Sequence, residues 1–599
     1  MKLTKILAIM AFVFTGLALY TIAITPPATG YELDIYKAYP TYFWSFLIAS
    51  LACGICILVR HAFFGGKSSW WLIGLLVVIF SNLIILTLPA FRGYAMFGRE
   101  DALSHLGFMK DILITGHIGE NYYPMIHILG VSILDIAGLS SRAVSVLTCA
   151  LFSIIYIINI YLLASIISRN RGQAILVTAF ASPMIYSYFH LDLHPSFSSV
   201  FMIPLLLYLY HRREKFSFDK VQWAILALIL AFHIVFHHPI TGLFVVAMFL
   251  SFGLSSILHR LAASYKKSGL AETTWLGRNY GGLSLIMFIS FFMWYFSSVS
   301  IGQTFKKVWE WLFHQVGYST YQEYVQVLGH TTASPSEIAK YLLNNYGAIF
   351  IYFLVSLVAL IFILKWSLSK RKKVDAVIFT YGILTIVAGL SALFFYLGFF
   401  QPLNIFRGAV FLILMSVILN GLVVYELAGE ESFSPTGKVI IAFTALVIIG
   451  AAIVGVLNVY RSPRIELWNE QVTRYEIEGT SWLIGHNDGQ TPIQSFLVKV
   501  YRFKDLELGC QQPSNAIVNQ GPIPPHFGYD INDSAAETFG FQDRYLVTSE
   551  IDIKYPMSFP EYRRHYQYTE GDFAELNSDS TVSKIYANGE LEVWEVYEE

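Results

Sequence analysis

The sequence predicts a polytopic α-helical membrane protein with about thirteen transmembrane helices and a C-terminal extracytoplasmic α+β domain. Three observations carry this reading. Hydrophobic residues make up 55% of the 599-residue chain and charged residues only 14%. Apolar runs near the ~20 residues that cross a ~30 Å hydrocarbon core recur as far as residue 456. After Val459 the composition turns to that of a soluble globular domain. A net charge of −1, with no basic arm or stripe, argues against nucleic acid as a partner.

The apolar segments lie near residues 3–24, 41–59, 70–90, 143–167, 173–189, 195–210, 221–237, 239–258, 280–300, 347–364, 375–397, 406–426 and 438–456. The first follows Lys2 and Lys5 and is long enough to be a retained helix rather than a cleaved signal. The fifth and sixth are short and contain Pro183 and Pro204, which predicts re-entrant or kinked helices. Charge orients the set. Arg60/Lys67, Arg169/Arg171, Arg212/Arg213/Lys215, Arg260/Lys266/Lys267 and Lys365/Lys370/Arg371/Lys372/Lys373 fall in alternate loops, on the side that is cytoplasmic by the positive-inside rule. The opposite loops are rich in His, Asp, Tyr and Pro, and the chain from 457 to 599 is expected on that outer side. The 4 cysteines define no disulfide framework; Cys53, Cys56 and Cys149 are intramembrane and Cys510 is single.

The longest early outer loop, Phe91–Arg142, is polar out of keeping with its surroundings. Apolar Leu103, Leu106, Ile112 and Leu113 interleave with Ser104, His105, Lys110 and Asp111, which predicts an amphipathic interfacial helix ending at Gly116. Pro124 opens a second apolar run through Leu134, too short to span and bearing His127. The 301–346 loop carries Trp309, Trp311, Tyr318, Tyr321 and Tyr324, suited to headgroup level, and is long enough to act as a lid. In the soluble part, 466–484 reads as a helix, and 583–586 with 590–596 as a hairpin turning at Asn588-Gly589. Asn532-Asp533-Ser534 has the form of a glycosylation sequon.

An enzyme on the outer face has no nucleotide-sugar supply, so its activated donor must arrive through the lipid, as a polyprenyl-linked sugar. The chemistry then needs a carboxylate to take the acceptor's proton, and cationic or metal groups for the departing phosphate. Glu100-Asp101, where the loop leaves the bilayer, are the catalytic candidates; the same pair also reads as an ordinary acidic helix start. His190, Asp192 and His194 alternate, and in an extended segment would share one side as ligands for a divalent metal (Mg²⁺, Mn²⁺ or Zn²⁺). They read equally as interfacial polar residues. Arg407, His237, His238 and His105 are candidates for the donor phosphate, although an Arg at that depth can also snorkel and a His at a helix C-terminus suits the dipole.

The stretch Arg99-Glu100-Asp101…His105…Asp111…Gly116-His117…Tyr122-Tyr123-Pro124…Gly138…Arg142 resembles the first outer loop of the GT-C superfamily of integral-membrane glycosyltransferases. Ser182-Pro183…His190-Leu191-Asp192…Pro195…Tyr208…His211-Arg212 resembles their second acidic loop. The layout is similar to the oligosaccharyltransferase branch, but the loop follows the third span rather than the first, and the Trp-Trp-Asp-x-Gly signature is missing. The resemblance implies Asp101 as base, with Asp192 and His194 in a metal or phosphate site. It implies a polyprenyl-phosphate-linked donor and a glycan, lipid or protein acceptor, with transfer by inversion. A polymerase or ligase of lipid-linked glycans, and a transporter or flippase, are the alternatives.

Overall fold

The computed structural model describes residues 2–597 apart from 192, 216–219, 265–279, 298–301, 304–305, 307–308, 311–312, 315–333, 369–373, 397–404, 430–432, 512–526, 530–533, 540–542 and 559–567. Asp192, Trp311, Tyr318, Tyr321, Tyr324, Asn532 and Asp533 therefore lie outside the described residues, as does the side chain of Arg407.

The membrane domain opens with α1 (Lys2–Ile24), α2 (Thr41–Phe64), α3 (Trp71–Phe91), α4 (Asp101–Thr115), α5 (Met125–Ala137), α6 (Ser141–Ile167) and α7 (Arg171–Phe180). It continues with α8 (Pro195–Lys215), α9 (Lys220–His237), α10 (Pro239–Ser264), α11 (Tyr280–Tyr295), α12 (Pro335–Leu368), α13 (Ala376–Tyr396), α14 (Ile405–Gly429) and α15 (Pro435–Asn458). Among the described residues 10 helices are long and apolar enough to cross a membrane, namely α1–α3, α6, α9, α10 and α12–α15. Helix α7 has 10 residues and α11 has 16, while α8 ends on the charged turn Arg212-Arg213-Glu214-Lys215.

Helix α7 stops because Pro183 cannot continue it and disfavours helix in the residue before. The chain from 181 to 191 then runs through the protein interior, where irregular backbone survives only if protein groups satisfy it. Tyr352 OH donates to Phe180 O at 2.6 Å, Asn82 Nδ2 to Ser182 O at 3.0 Å, and Ser187 Oγ donates to Asn458 O at 2.7 Å.

Among the described basic-loop residues, Lys67, Arg169, Arg171 and Lys215 gather at one end of the bundle. There Arg169 pairs with Asp375 at 3.0 Å and with Glu426 at 2.9 Å, and Lys215 Nζ donates to Ile166 O at 2.8 Å. The opposite end carries α4, α5 and the C-terminal part.

The soluble part holds α16 (Arg474–His486), α17 (Val500–Leu508), α18 (Glu550–Ser558) and α19 (Glu570–Leu576). The expected helix over 466–484 starts eight residues later, because Thr473 and Glu476 form a capping box at Arg474. Strand β1 (Met96–Phe97) of the long loop pairs antiparallel with β2 (Gln471–Val472). Strands β3 (Ile493–Ser495), β4 (Arg544–Ser549), β5 (Val582–Ala587) and β6 (Leu591–Val596) form a sheet of order β3-β4-β6-β5. Within it β3 is parallel to β4, and the rest is antiparallel. The β5–β6 hairpin turns at Asn588-Gly589, Gly589 with φ +96°. One core unites Leu103, Leu106 and Met109 of α4 with Val472, Phe503, Val547 and Val593. Beside it Arg99 and Glu476 form a buried bidentate pair.

Candidate active site

Helix α4 begins at Asp101 and ends at Gly116, whose φ of +71° is the left-handed cap that glycine favours. The expected helix is present, but its polar face is covered rather than solvated. Ser104, His105 and Asp111 are buried, whereas Leu113 and Ile114 are exposed. Over Ser104 and Asp111 the cover is α17 and the turn after it, whereas His105 packs on His127 and Tyr123. Gly107 allows the approach: a Cβ there would stand 2.5 Å from Asp505 O. Asp111 closes the contact by accepting from Cys510 N at 2.9 Å and Gln511 N at 3.1 Å. Burial pushes the Asp111 carboxyl up from its ordinary range, while these two N–H groups pull it back.

The acidic pair meets two cations from the same helix region. Arg502 Nη2 donates to Asp101 Oδ1 at 2.7 Å and Nη1 to Ser104 Oγ at 2.7 Å. Lys499 Nζ donates to Glu100 Oε1 at 2.7 Å. Lys499 and Arg502 were not among the residues expected from sequence. They stand some 400 positions from their partners, and no local pattern marks them.

Next to Asp101 the fold collects histidines from four segments. His105 Nδ1 lies 3.0 Å from His127 Nε2, and the His105 and His194 rings are 6.4 Å apart. Ser198 Oγ lies 2.7 Å from His237 Nε2, and His237 Nδ1 is 3.1 Å from His233 Nε2. Tyr123 bridges across, its ring 6.1 Å from His127 and 6.5 Å from His238. Burial lowers the His105 pKa to about 4 against the attraction of Asp101, with Arg502 adding to the drop. Burial also lowers His127, and His105 and His237 push the same way. These rings are neutral hydrogen-bonding groups at neutral pH. His105, His237 and His238 were phosphate candidates and His194 a metal candidate; His127 was noted in its short run without a role, and His233, inside an apolar helix, was not named.

Of the proposed metal set, Asp192 lies outside the described residues, and His190 is the last residue of a 3-10 turn, Ser187–His190. His190 Nδ1 lies 3.0 Å from Ser153 Oγ, with its ring against Tyr186 and Phe201. His194 lies instead 2.7 Å through Nδ1 from Ser196 Oγ and faces Phe197 and His105. Among the described residues no group of three or more His, Cys, Asp or Glu is arranged to hold a metal ion.

The fold and site together define a polytopic membrane protein with an acidic pair and a histidine-lined interior at one end, roofed by a soluble domain. No family model matches the chain, and no curated protein matches its sequence. Solved structures that it is similar to include ArnT from Cupriavidus metallidurans bound to undecaprenyl phosphate, at 11% identity and TM-score 0.44, covering 87% of this chain and 96% of that one. A second is the arabinofuranosyltransferase AftD from mycobacteria, at 13% identity and TM-score 0.45. The match covers 87% of this chain but only 40% of AftD.

Proposed function

We propose that this chain is a membrane glycosyltransferase moving a sugar from a polyprenyl-phosphate-linked donor to a glycan, lipid or protein acceptor, with inversion. The observation that supports it best is the placement of Glu100-Asp101 beside His105, His194 and His237 at the end of the bundle away from the basic loops. That end is read as extracytoplasmic, with the C-terminal domain on the same side.

In this reading Asp101 takes the proton of the acceptor hydroxyl as its oxygen bonds to the anomeric carbon. The bond from that carbon to the phosphate oxygen breaks on the opposite face, which inverts the centre. Neutral imidazoles of His105 and His238, with Arg407, donate to the departing phosphate, and His237, whose two ring nitrogens face Ser198 and His233, packs behind them. Glu100 supports the base, held by Lys499.

The test is Asp101→Asn in liposomes supplied with radiolabelled polyprenyl-phosphate-sugar. The amide oxygen can still accept from Arg502, so the variant should insert and fold. Transfer should fall by about 10²–10⁴-fold, the usual contribution of a general base. Unchanged transfer would sink the assignment, and movement of the lipid across the bilayer without covalent transfer would favour a flippase.

A further inference from the structure

Asn121, His127 and His105 form a buried hydrogen-bonded row whose proton positions can be worked out from one end. Tyr123 N donates to Asn121 Oδ1 at 3.2 Å, which fixes the amide with its oxygen toward the backbone. The Asn121 NH₂ group therefore faces His127 Nδ1, at 2.6 Å. An NH₂ group only donates, so His127 Nδ1 must be an acceptor, and the ring carries its single proton on Nε2. That proton points at His105 Nδ1, 3.0 Å away. His105 Nδ1 is then an acceptor as well, which leaves its proton on Nε2, the ring nitrogen facing away from His127. All three side chains are buried, His127 completely. Protonating His127 would set an N–H against the Asn121 NH₂ group, so the row is compatible only with neutral rings. His105 stands one helical turn after Asp101, on the same face of α4.

We propose that Asn121 and His127 are positioning residues that lock His105 in its Nε2–H tautomer, so that it presents a fixed hydrogen-bond donor beside Asp101 to a phosphate-ester oxygen of the lipid-linked donor. The inference rests on the glycosyl-transfer reading for the identity of that oxygen, but the tautomer lock itself does not. The Nε2 proton is donated in a hydrogen bond and stays on the ring. A donor fixed before the reaction has no reorganisation to undergo as charge develops on the phosphate.

Asn121→Asp tests the lock at nearly constant shape. A carboxylate at 121 accepts from His127 Nδ1–H, so Nε2 becomes an acceptor. His105 must then donate from Nδ1, and its Nε2 turns a lone pair toward the phosphate. The kcat should fall about 10²-fold with KM nearly constant. In a His105→Gln background, where the side-chain amide supplies its own donor, Asn121→Asp should cost almost nothing. Equal losses in both backgrounds would mean a merely structural role and overturn the proposal, as would a wild-type kcat in Asn121→Asp. Nitrogen-15 NMR of histidine-labelled protein, assigned against His105→Gln, should show protonated Nε2 and bare Nδ1 at His105, reversed in Asn121→Asp. A protonated Nδ1 in the wild type overturns the lock. If no polyprenyl-phosphate-sugar is turned over at all, the glycosyl-transfer reading fails, and the NMR measurement still decides the tautomer.

Discussion

Arg502 Nη2 donates to Asp101 Oδ1 at 2.7 Å, joining residues 401 positions apart. The carboxylate expected to act as base is thus held by a side chain from the soluble domain. The same helix covers the polar face of α4, so the domain is part of the site's walls. The consequences can be measured separately for the interface, its buried charges and the histidines.

Gly107→Leu is expected to push α17 off α4, because even a Cβ would stand 2.5 Å from Asp505 O. Overpacking of this kind costs about 1–3 kcal/mol. Proteolysis between the soluble domain and α4 should accelerate, and transfer should fall with it. Unaltered protease resistance would show that the contact does not hold the two together.

The Arg99–Glu476 pair has side-chain exposures of only 3% and 0%. Glu476 also accepts from Thr473 N at 3.0 Å and Ser549 Oγ at 3.1 Å. Arg99→Met strands a buried carboxylate and should destabilise the soluble layer by about 3–5 kcal/mol. Replacing both partners by Met should recover part of that loss, as read by the denaturation midpoint. A double variant worse than the single would contradict this account of the cost.

Asp552 is wholly buried, and burial raises its pKa to about 7 although it accepts from Leu497 N and Ser549 N. Glu590, also buried, is likewise raised to about 7. A carboxyl whose folded pKa lies above its unfolded value of about 4 stabilises most below that unfolded value. The contribution is lost as pH rises through about 7. The soluble layer should therefore melt higher at pH 5 than at pH 8, and Asp552→Asn should shrink that difference. An identical pH dependence in the variant would rule out Asp552 as its source.

His190 and His194 should separate in their effects. His194→Ala removes the imidazole that faces His105 and should lower transfer by about 10²-fold, comparable to the loss of one preorganised polar group. His190→Phe replaces a ring packed on Tyr186 and Phe201 and should leave transfer within a few-fold of wild type. A large loss in His190→Phe, with folding intact, would restore it to the site.

What the sequence by itself determined is whatever depends on local pattern. Apolar length set the long helices, Lys/Arg asymmetry divided the loops into two groups, and Gly116, Pro124 and Asn588-Gly589 marked ends and turns through their backbone preferences. It also singled out Glu100-Asp101 and four of the histidines, because polar residues in an apolar chain need a reason. Tertiary structure alone decided the partners. Nothing in the order of residues says that Lys499 and Arg502 meet Glu100 and Asp101, or that α17 and the turn after it cover Ser104 and Asp111. It decided, too, that residues 187–190 coil into a 3-10 turn, and that Asn121 and His127 line up behind His105. Hydrogen bonds and ion pairs depend on separations of about 3 Å in space. Residues hundreds of positions apart reach that separation only when the whole chain has packed.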